Sequence, residues 1–380
     1  MWQNLFSKAF LFAGILMAGS LPLLAFAQTA HQDVHETIPA VVIEVVREDE
    51  RQIAGTDTTT MEQEVRVELK SGERKGQVAT VINEVVRLKV GDKIFVNRMV
   101  NIDGQETVTY SDFERRPVLA LVFLAFVAML LFFSRWQGVR ALLSLALSIA
   151  AIIFVLVPAL LAGYDATLTT IGISAVILAL ALFGTHGINP RSMIAFGGTY
   201  GAVLITGLVA YPSVHIMRLT GFGSDAAVYL NFSTNGQLDL VGLLLGSIII
   251  GILGALDDVS ITQVSVVEEL KGANPNFTFA DLYKRASVVG RNHIGSMVNT
   301  LALAYAAVSL PLILLYAKTD SSWLVILNQE VVAGELLRII IGSMGLILAV
   351  PATTAVAAWY FQDKIVDNYS ESSHSHHHHH

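Results

Sequence analysis

Seven stretches of this chain, at about 117–133, 141–162, 167–184, 193–211, 237–256, 293–317 and 332–360, are almost unbroken runs of apolar residues. Each is long enough to cross a hydrocarbon layer of about 30 Å. No water is present at that depth to bond a free N–H or C=O, so such a stretch can only be helix. The fold class expected is therefore an α-helical polytopic membrane protein of about seven transmembrane helices after a cleavable signal peptide, with a small N-terminal extracytoplasmic β domain.

Composition excludes several function classes. At 53% hydrophobic and 14% charged residues the chain is not a soluble protein. The net charge of −7 comes with no basic stripe, which excludes nucleic acid as a partner. With no cysteine there are no disulfides, thiolate metal sites, iron–sulfur clusters, cysteine nucleophiles or lipoprotein anchor. The partners left are the lipid bilayer and a small solute or ion.

At the N-terminus, Lys8, the apolar run Ala9 to Leu24 and Ala25-Phe26-Ala27 before Gln28 predict a signal peptide over 1–27, the alternative being an uncleaved anchor. Residues 28–112 are then extracytoplasmic. Here Glu64 to Lys70 alternates strictly, with Val65, Val67 and Leu69 on one face and charges on the other. Val78 to Val86 and Lys93 to Val100 supply further strands, the last entered through a Gly91-Asp92 turn. A small barrel or sandwich, OB-like, is expected. It has no aromatic cluster or basic groove for an oligonucleotide, which points to scaffolding, gating or binding of a protein partner.

The transmembrane domain occupies 113–365, and 366–380 is a tail with the tag His376 to His380. Arg135, Arg140, Arg191, Lys271, Lys284, Arg285, Arg291 and Lys364 fall on one side of the seven crossings. Arg115, Arg116, Arg218 and Lys318 fall on the other. The bias places the C-terminus in the cytoplasm of a bacterial plasma membrane. Between crossings, the amphipathic cytoplasmic segment 259–291 has Ile261, Val264, Val267 and Leu270 at helical spacing, a break at Asn274-Pro275-Asn276, and Thr278 with Asp281 as a capping box. Two short helices on the inner membrane surface are predicted.

Chemistry concentrates at Gly251-Ile-Leu-Gly-Ala-Leu-Asp257-Asp258, where an apolar helix meets two carboxylates. Carboxylates at membrane depth cost about 2.5–3.5 kcal/mol each even on insertion scales, so they mark sites unless the helix has already reached water. Neighbours on a helix point about 100° apart, so at most one faces the bundle. In the returning span Asn292, Ser296 and Asn299 recur at i, i+4 and i+7, beside His293 and Thr300, and form a polar face that serves helix packing or lines a pathway. Glu335 and Arg338, three residues apart, form an internal ion pair or a gate. Gly242, Gly246, Gly251, Gly254, Gly342, Gly345 and Pro351 supply close packing, internal or in a homo-oligomer, or a bending helix. No pair among the histidine and the aspartates has recognised metal spacing.

The joined motifs Gly236-Gln-Leu-Asp-Leu-Val-Gly, Gly251-Ile-Leu-Gly-Ala-Leu-Asp-Asp-Val and Gly290-Arg-Asn-His-Ile-Gly-Ser-Met-Val-Asn-Thr-Leu carry a family likeness. With Ala304-Tyr305, Leu310-Pro311, Gly342-Ser-Met-Gly345 and Val350-Pro351, the chain resembles the YibE/F-like family of bacterial multipass membrane proteins over roughly 38–361. The family position is an aspartate followed by Val, where this chain has Asp257-Asp258-Val. The resemblance implies a membrane protein and no particular reaction. A second likeness, in the order of elements alone, is to SecD/SecF and related proton-driven transporters.

These readings lead to a secondary transporter or export permease, proton- or ion-coupled, with Asp257 or Asp258 as the ion-linked carboxylate. No GxxxxGK[ST], HExxH or GxSxG occurs, so neither an enzyme nor a cofactor is expected. One alternative is a non-transporting assembly factor or sensor acting through its β domain. A remote one is an intramembrane aspartyl protease, because Tyr164-Asp165 and Gly254-Ala-Leu-Asp257 resemble that family's paired motifs.

Overall fold

A computed structural model describes residues 34–52, 59–72, 74–100 and 106–364. The expected signal peptide and the tail with its tag lie outside the described residues. The chain divides into two compact units, Met1–Val127 and Ala128–His380.

The first unit holds a closed five-stranded barrel in the order β1-β2-β3-β5-β4, with β1 Val34–Gln52, β2 Thr59–Leu69, β3 Val78–Asn83, β4 Lys93–Val100 and β5 Glu106–Phe113. This is the small β domain expected, as a barrel and not a sandwich. Register shifts at Val42/Glu44 and Val45/Arg47 bend the 19-residue β1, which pairs antiparallel with both β2 and β4. The parallel pairing of Ile82 with Thr109 closes the ring. Alternation works as predicted: Val65, Val67 and Leu69 point inward with Ile38, Val81, Ile94 and Val96. Gln63 shares their parity and is also fully buried. Its amide accepts from Leu88 N (2.7 Å) and donates to Leu88 O (3.2 Å), tying the β3–β4 connection to the barrel.

The helices are α1 Arg116–Leu161, α2 Ala166–His186, α3 Pro190–Ile216, α4 Asp225–Ser233, α5 Leu240–Ala273, α6 Phe279–Val308, α7 Leu310–Ala317, α8 Trp323–Asn328 and α9 Glu330–Phe361. Among the described residues five of them, α1, α2, α3, α5 and α9, are long and apolar enough to cross a membrane. The number is up to six if α6 and α7, bent by 64° at their junction, make one broken span. Seven separate helices were expected. The difference lies in the bent pair α6–α7 and in α1, whose 46 residues are two helices joined at Arg135 that correspond to the stretches read at 117–133 and 141–162. Its backbone leaves helical geometry at Arg135 (φ 48°, ψ −128°).

Small residues set how the helices of the second unit pack. A methyl group added to Gly242 would lie 2.8 Å from Ala166 Cβ, and one on Gly246 would lie 2.6 Å from Thr170 Oγ1, so α5 runs parallel to α2. One on Gly342 would lie 2.8 Å from Ile252, and Thr353 bonds Ser260 at 3.2 Å, so α9 also runs parallel to α5. Gly198 faces Thr353 while Gly345 faces Thr206, so α3 runs antiparallel to α9. These four glycines, Gly242, Gly246, Gly342 and Gly345, therefore act as close-packing positions. Pro351 sits inside α9 without ending it.

The segment 259–291 departs from expectation. The break at Asn274 and the capping box of Thr278 with Asp281 are both present. The flanking helices are not separate surface helices, however. They are the continuous ends of α5 and α6, because no breaker separates the apolar half of α5 from Val259 to Ala273. Val264, Val267, Leu282 and Ala286 pack into a core with Leu178, Ala195, Ala357 and Phe361.

Lys271 locks this end of the unit. It is 4% exposed, and its ammonium donates to the carbonyls of Pro275 (2.7 Å), Phe277 (3.1 Å) and Gln362 (2.5 Å). All three N–H groups are thus used, at the point where α5 and α9 present the partly negative ends of their dipoles.

Candidate functional site

Helix α5 has 34 residues, about 51 Å at ~1.5 Å per residue, and Asp257 stands at its middle and not at its end. The side chain is half-buried, and its Oδ1 is enclosed without a hydrogen-bond partner. Asp258, one residue on, is exposed. The two carboxylates thus part as helix geometry requires, with Asp257 the inward member. Its neighbours along α5, Leu253, Leu256 and Val259, belong to one apolar cluster with Ile294 and Met297 of α6.

The level of Asp257 on α6 follows from two contacts. The Tyr305 hydroxyl abuts Gly251, and Gln263 Nε2 donates to Ala286 O at 2.8 Å, so α5 and α6 run antiparallel. Asp257 is midway between Gly251 and Gln263. Midway between Tyr305 and Ala286 is Gly295-Ser296. The carboxylate is therefore level with the polar stretch of α6.

That stretch turns mostly away from the bundle. Asn292, Ser296, Asn299 and Thr300 are exposed, and Thr300 Oγ1 donates back to Ser296 O at 2.9 Å. His293 is half-buried, and its Nε2 is enclosed without a partner, like Asp257 Oδ1. Gly254 and Gly295 face open space on the same level. Among the described residues no group of three or more histidine, cysteine or acidic side chains could hold a metal ion.

A second polar cluster lies nearer the start of α5. Arg338 Nη1 donates to Glu335 Oε1 at 2.6 Å, the ion pair expected from their spacing. Arg338 Nη2 also donates to Ser247 Oγ at 3.1 Å, and the guanidinium stands 5.8 Å from the centre of the Tyr305 ring. One arginine thus joins α5, α6 and α9. Ser247 had no signal in sequence beyond lying one turn before Gly251. Thr199, Thr206, Ser260, Gln263 and Thr353 are buried polar residues; Thr206 Oγ1 donates to Ala202 O at 2.7 Å, and Thr353 bonds Ser260, which with Gln263 lies beyond Asp257 toward the end of α5.

Asp165, the other half of the protease reading, is the N-cap of α2 and accepts from Leu168 N at 2.7 Å. Because α2 and α5 are parallel with Ala166 facing Gly242, Asp165 is level with the start of α5. Asp257 lies some 15 residues further along, about 23 Å away. One water cannot bridge that distance, so the paired-aspartate chemistry of such proteases is not assembled.

The family model described as YibE/F-like protein matches residues 122–363 of the chain. No curated protein and no solved structure matches it.

Proposed function

Because this chain belongs to the YibE/F-like family and carries helices fit to cross a membrane, we propose that it is a secondary transporter or export permease for a small solute or ion, coupled to protons or another cation. The observation that carries this reading is Asp257. Its carboxyl oxygen is enclosed and unpaired where the apolar half of α5 ends, level with the polar stretch of α6. A carboxylate so placed is costly bare and stable with a proton or cation on it, and a group that must be loaded and unloaded can couple two fluxes.

In this reading Asp257 is the coupling carboxylate. His293, whose Nε2 is enclosed without a partner, adds a second polar atom on α6. Asn292, Ser296, Asn299 and Thr300 line the pathway, and Asp258 meets the ion at its mouth. The pair Glu335–Arg338, held to Ser247 and Tyr305, closes the end of the pathway near the start of α5. In this reading the protein sits in a bacterial plasma membrane, and the lysine and arginine bias of its connections supports a cytoplasmic C-terminus. Purified protein in proteoliposomes, screened for flux of protons, mono- and divalent cations and small anions with and without a pH gradient, tests the proposal. Flux of none of them refutes it.

A second reading, partner binding through the barrel, is favoured by Val78, Ile82 and Val85, which are exposed on and beside β3. Deletion of 28–110 separates the two. A transporter keeps residual flux, whereas a sensor loses all response.

A further inference from the structure

At the end of the helical unit where α2 and α5 begin and α3 ends lies a cavity of about 550 Å³, which the transport reading above does not use. Its volume falls in the range of small-molecule sites, ~300–1,000 Å³. Leu219 and Leu245, both buried, supply apolar wall. Part of the lining is held in place from outside the cavity. Glu330, the first residue of α9, accepts from Thr220 N (2.8 Å), Gly221 N (2.7 Å) and Thr220 Oγ1 (2.7 Å), which pins the loop after α3.

The charges lining this cavity are of both signs and are not paired with one another. Asp165 and Asp239 each spend Oδ1 on the cap of a helix, accepting from Leu168 N (2.7 Å) and Gly242 N (2.9 Å). Neither makes an ion pair among the described residues. The Arg218 side chain makes neither an ion pair nor a hydrogen bond among them, although all three line one cavity. His215 also lines it; its Nδ1 donates to Tyr211 O at 2.8 Å, which leaves Nε2 for a ligand. Helix dipoles account for carboxylates at the starts of α2 and α5 and for a cation at the end of α3. They do not account for the backbone of Arg218, at φ 54° in the turn that closes α3 through Leu219 N and Val214 O (3.1 Å). Glycine is the residue such a position favours, so the chain keeps a guanidinium here at a backbone cost.

Unpaired charges of opposite sign around one cavity match a ligand that carries both signs itself. We propose that this cavity binds a zwitterion with a primary ammonium and a carboxylate or phosphate. The ammonium goes to the second carboxylate oxygens of Asp165 and Asp239, and the anionic group to Arg218 and His215. An ion of one sign would satisfy one set of groups and meet like charge in the other. A free amino acid or short peptide carries the required pair of groups, and so does the headgroup of phosphatidylethanolamine. That the ligand is what the protein moves rests on the function proposed above; the binding itself does not.

Substitutions that respect the backbone test this. Arg218→Gly removes the guanidinium and gives the positive-φ position its preferred residue. Asp165→Asn and Asp239→Asn remove the charges and keep good helix caps. Full-length protein in phosphatidylcholine nanodiscs, whose quaternary headgroup has no N–H to donate, is heated with each common amino acid and a set of dipeptides. Their N-acetyl and C-amide forms, which lack one of the two charges, are the controls. In a second arm no solute is added, and phosphatidylethanolamine replaces phosphatidylcholine, with phosphatidylglycerol as the singly charged control. The expected result is a higher Tm with a zwitterion in one arm and no such rise with its control; the arm that responds identifies the source. Titration of that ligand should then show affinity weakened by about tenfold or more in Arg218→Gly and in the double variant Asp165→Asn, Asp239→Asn. Three results overturn the proposal: no rise in either arm, an equal rise with the singly charged controls, or a rise that both variants keep in full. Flux is not read in this experiment, so its failure and that of the transport reading are distinguishable.

Discussion

Replacing Lys271 with methionine keeps the length and apolar body of the side chain while removing its charge and three donors. Three carbonyls, those of Pro275, Phe277 and Gln362, then lose their partner. Hydrogen bonds to a charged group contribute about 1.5–3 kcal/mol each, so the gross loss is about 4.5–9 kcal/mol. Against it stands the cost of keeping an ammonium out of water, several kcal/mol, which the variant no longer bears. A net destabilisation of about 3 kcal/mol is expected. Reversible unfolding of the full chain in mixed micelles measures it, with Lys284→Met, at an exposed position, as the control expected within about 0.5 kcal/mol of wild type. Hydrogen exchange should speed up first between Asn274 and Phe277, where the lysine holds the α5–α6 turn to the end of α9. If Lys271→Met unfolds within about 0.5 kcal/mol of wild type, the cage contributes nothing and the reasoning fails.

Gly345→Val should destabilise by about 1–3 kcal/mol, because even the first added carbon lies 2.7 Å from Thr206 Oγ1; the same unfolding assay reads it. In the barrel, Arg98 bonds Glu106 at 2.7 Å and holds its carboxyl below the usual range, against an opposing effect of burial. The stability this pair contributes is therefore complete above the unfolded carboxyl value of about 4.3 and lost as pH falls through the lower folded value. Glu106→Gln should remove that part of the acid sensitivity, read as exchange of β5 amides against pH. A double-mutant cycle of Glu335→Gln with Arg338→Met should return a coupling of about 0.5–3 kcal/mol; a value near zero would mean the ion pair is idle.

How far the fold was legible depended on whether a signal was local. Alternation alone assigned Val65, Val67 and Leu69 to the barrel interior, and the same parity would have assigned Gln63. The capping box at Thr278 and the break at Asn274 were visible because each is made by residues a few positions apart. Glu335 and Arg338 were visible for the same reason. The continuity of α5 through Asp257 was missed because the change from apolar to amphipathic composition resembles a helix end, although no residue there breaks a helix. The cage of Lys271 was invisible, since its acceptors are carbonyls, which every residue has. Periodicity gathered Asn292, Ser296 and Asn299 on one face of α6 but could not say which way that face turns. Only the packing of Leu282, Ala286, Gly290 and Leu301 against the bundle decides it.

The most direct test of the account is ion-coupled flux in proteoliposomes holding wild type, Asp257→Asn or Asp258→Asn. Asp257 is the inward carboxylate and Asp258 the exposed one, so coupled flux should vanish in Asp257→Asn and persist, with weaker apparent affinity for the ion, in Asp258→Asn. Undiminished coupling in Asp257→Asn would contradict the central claim.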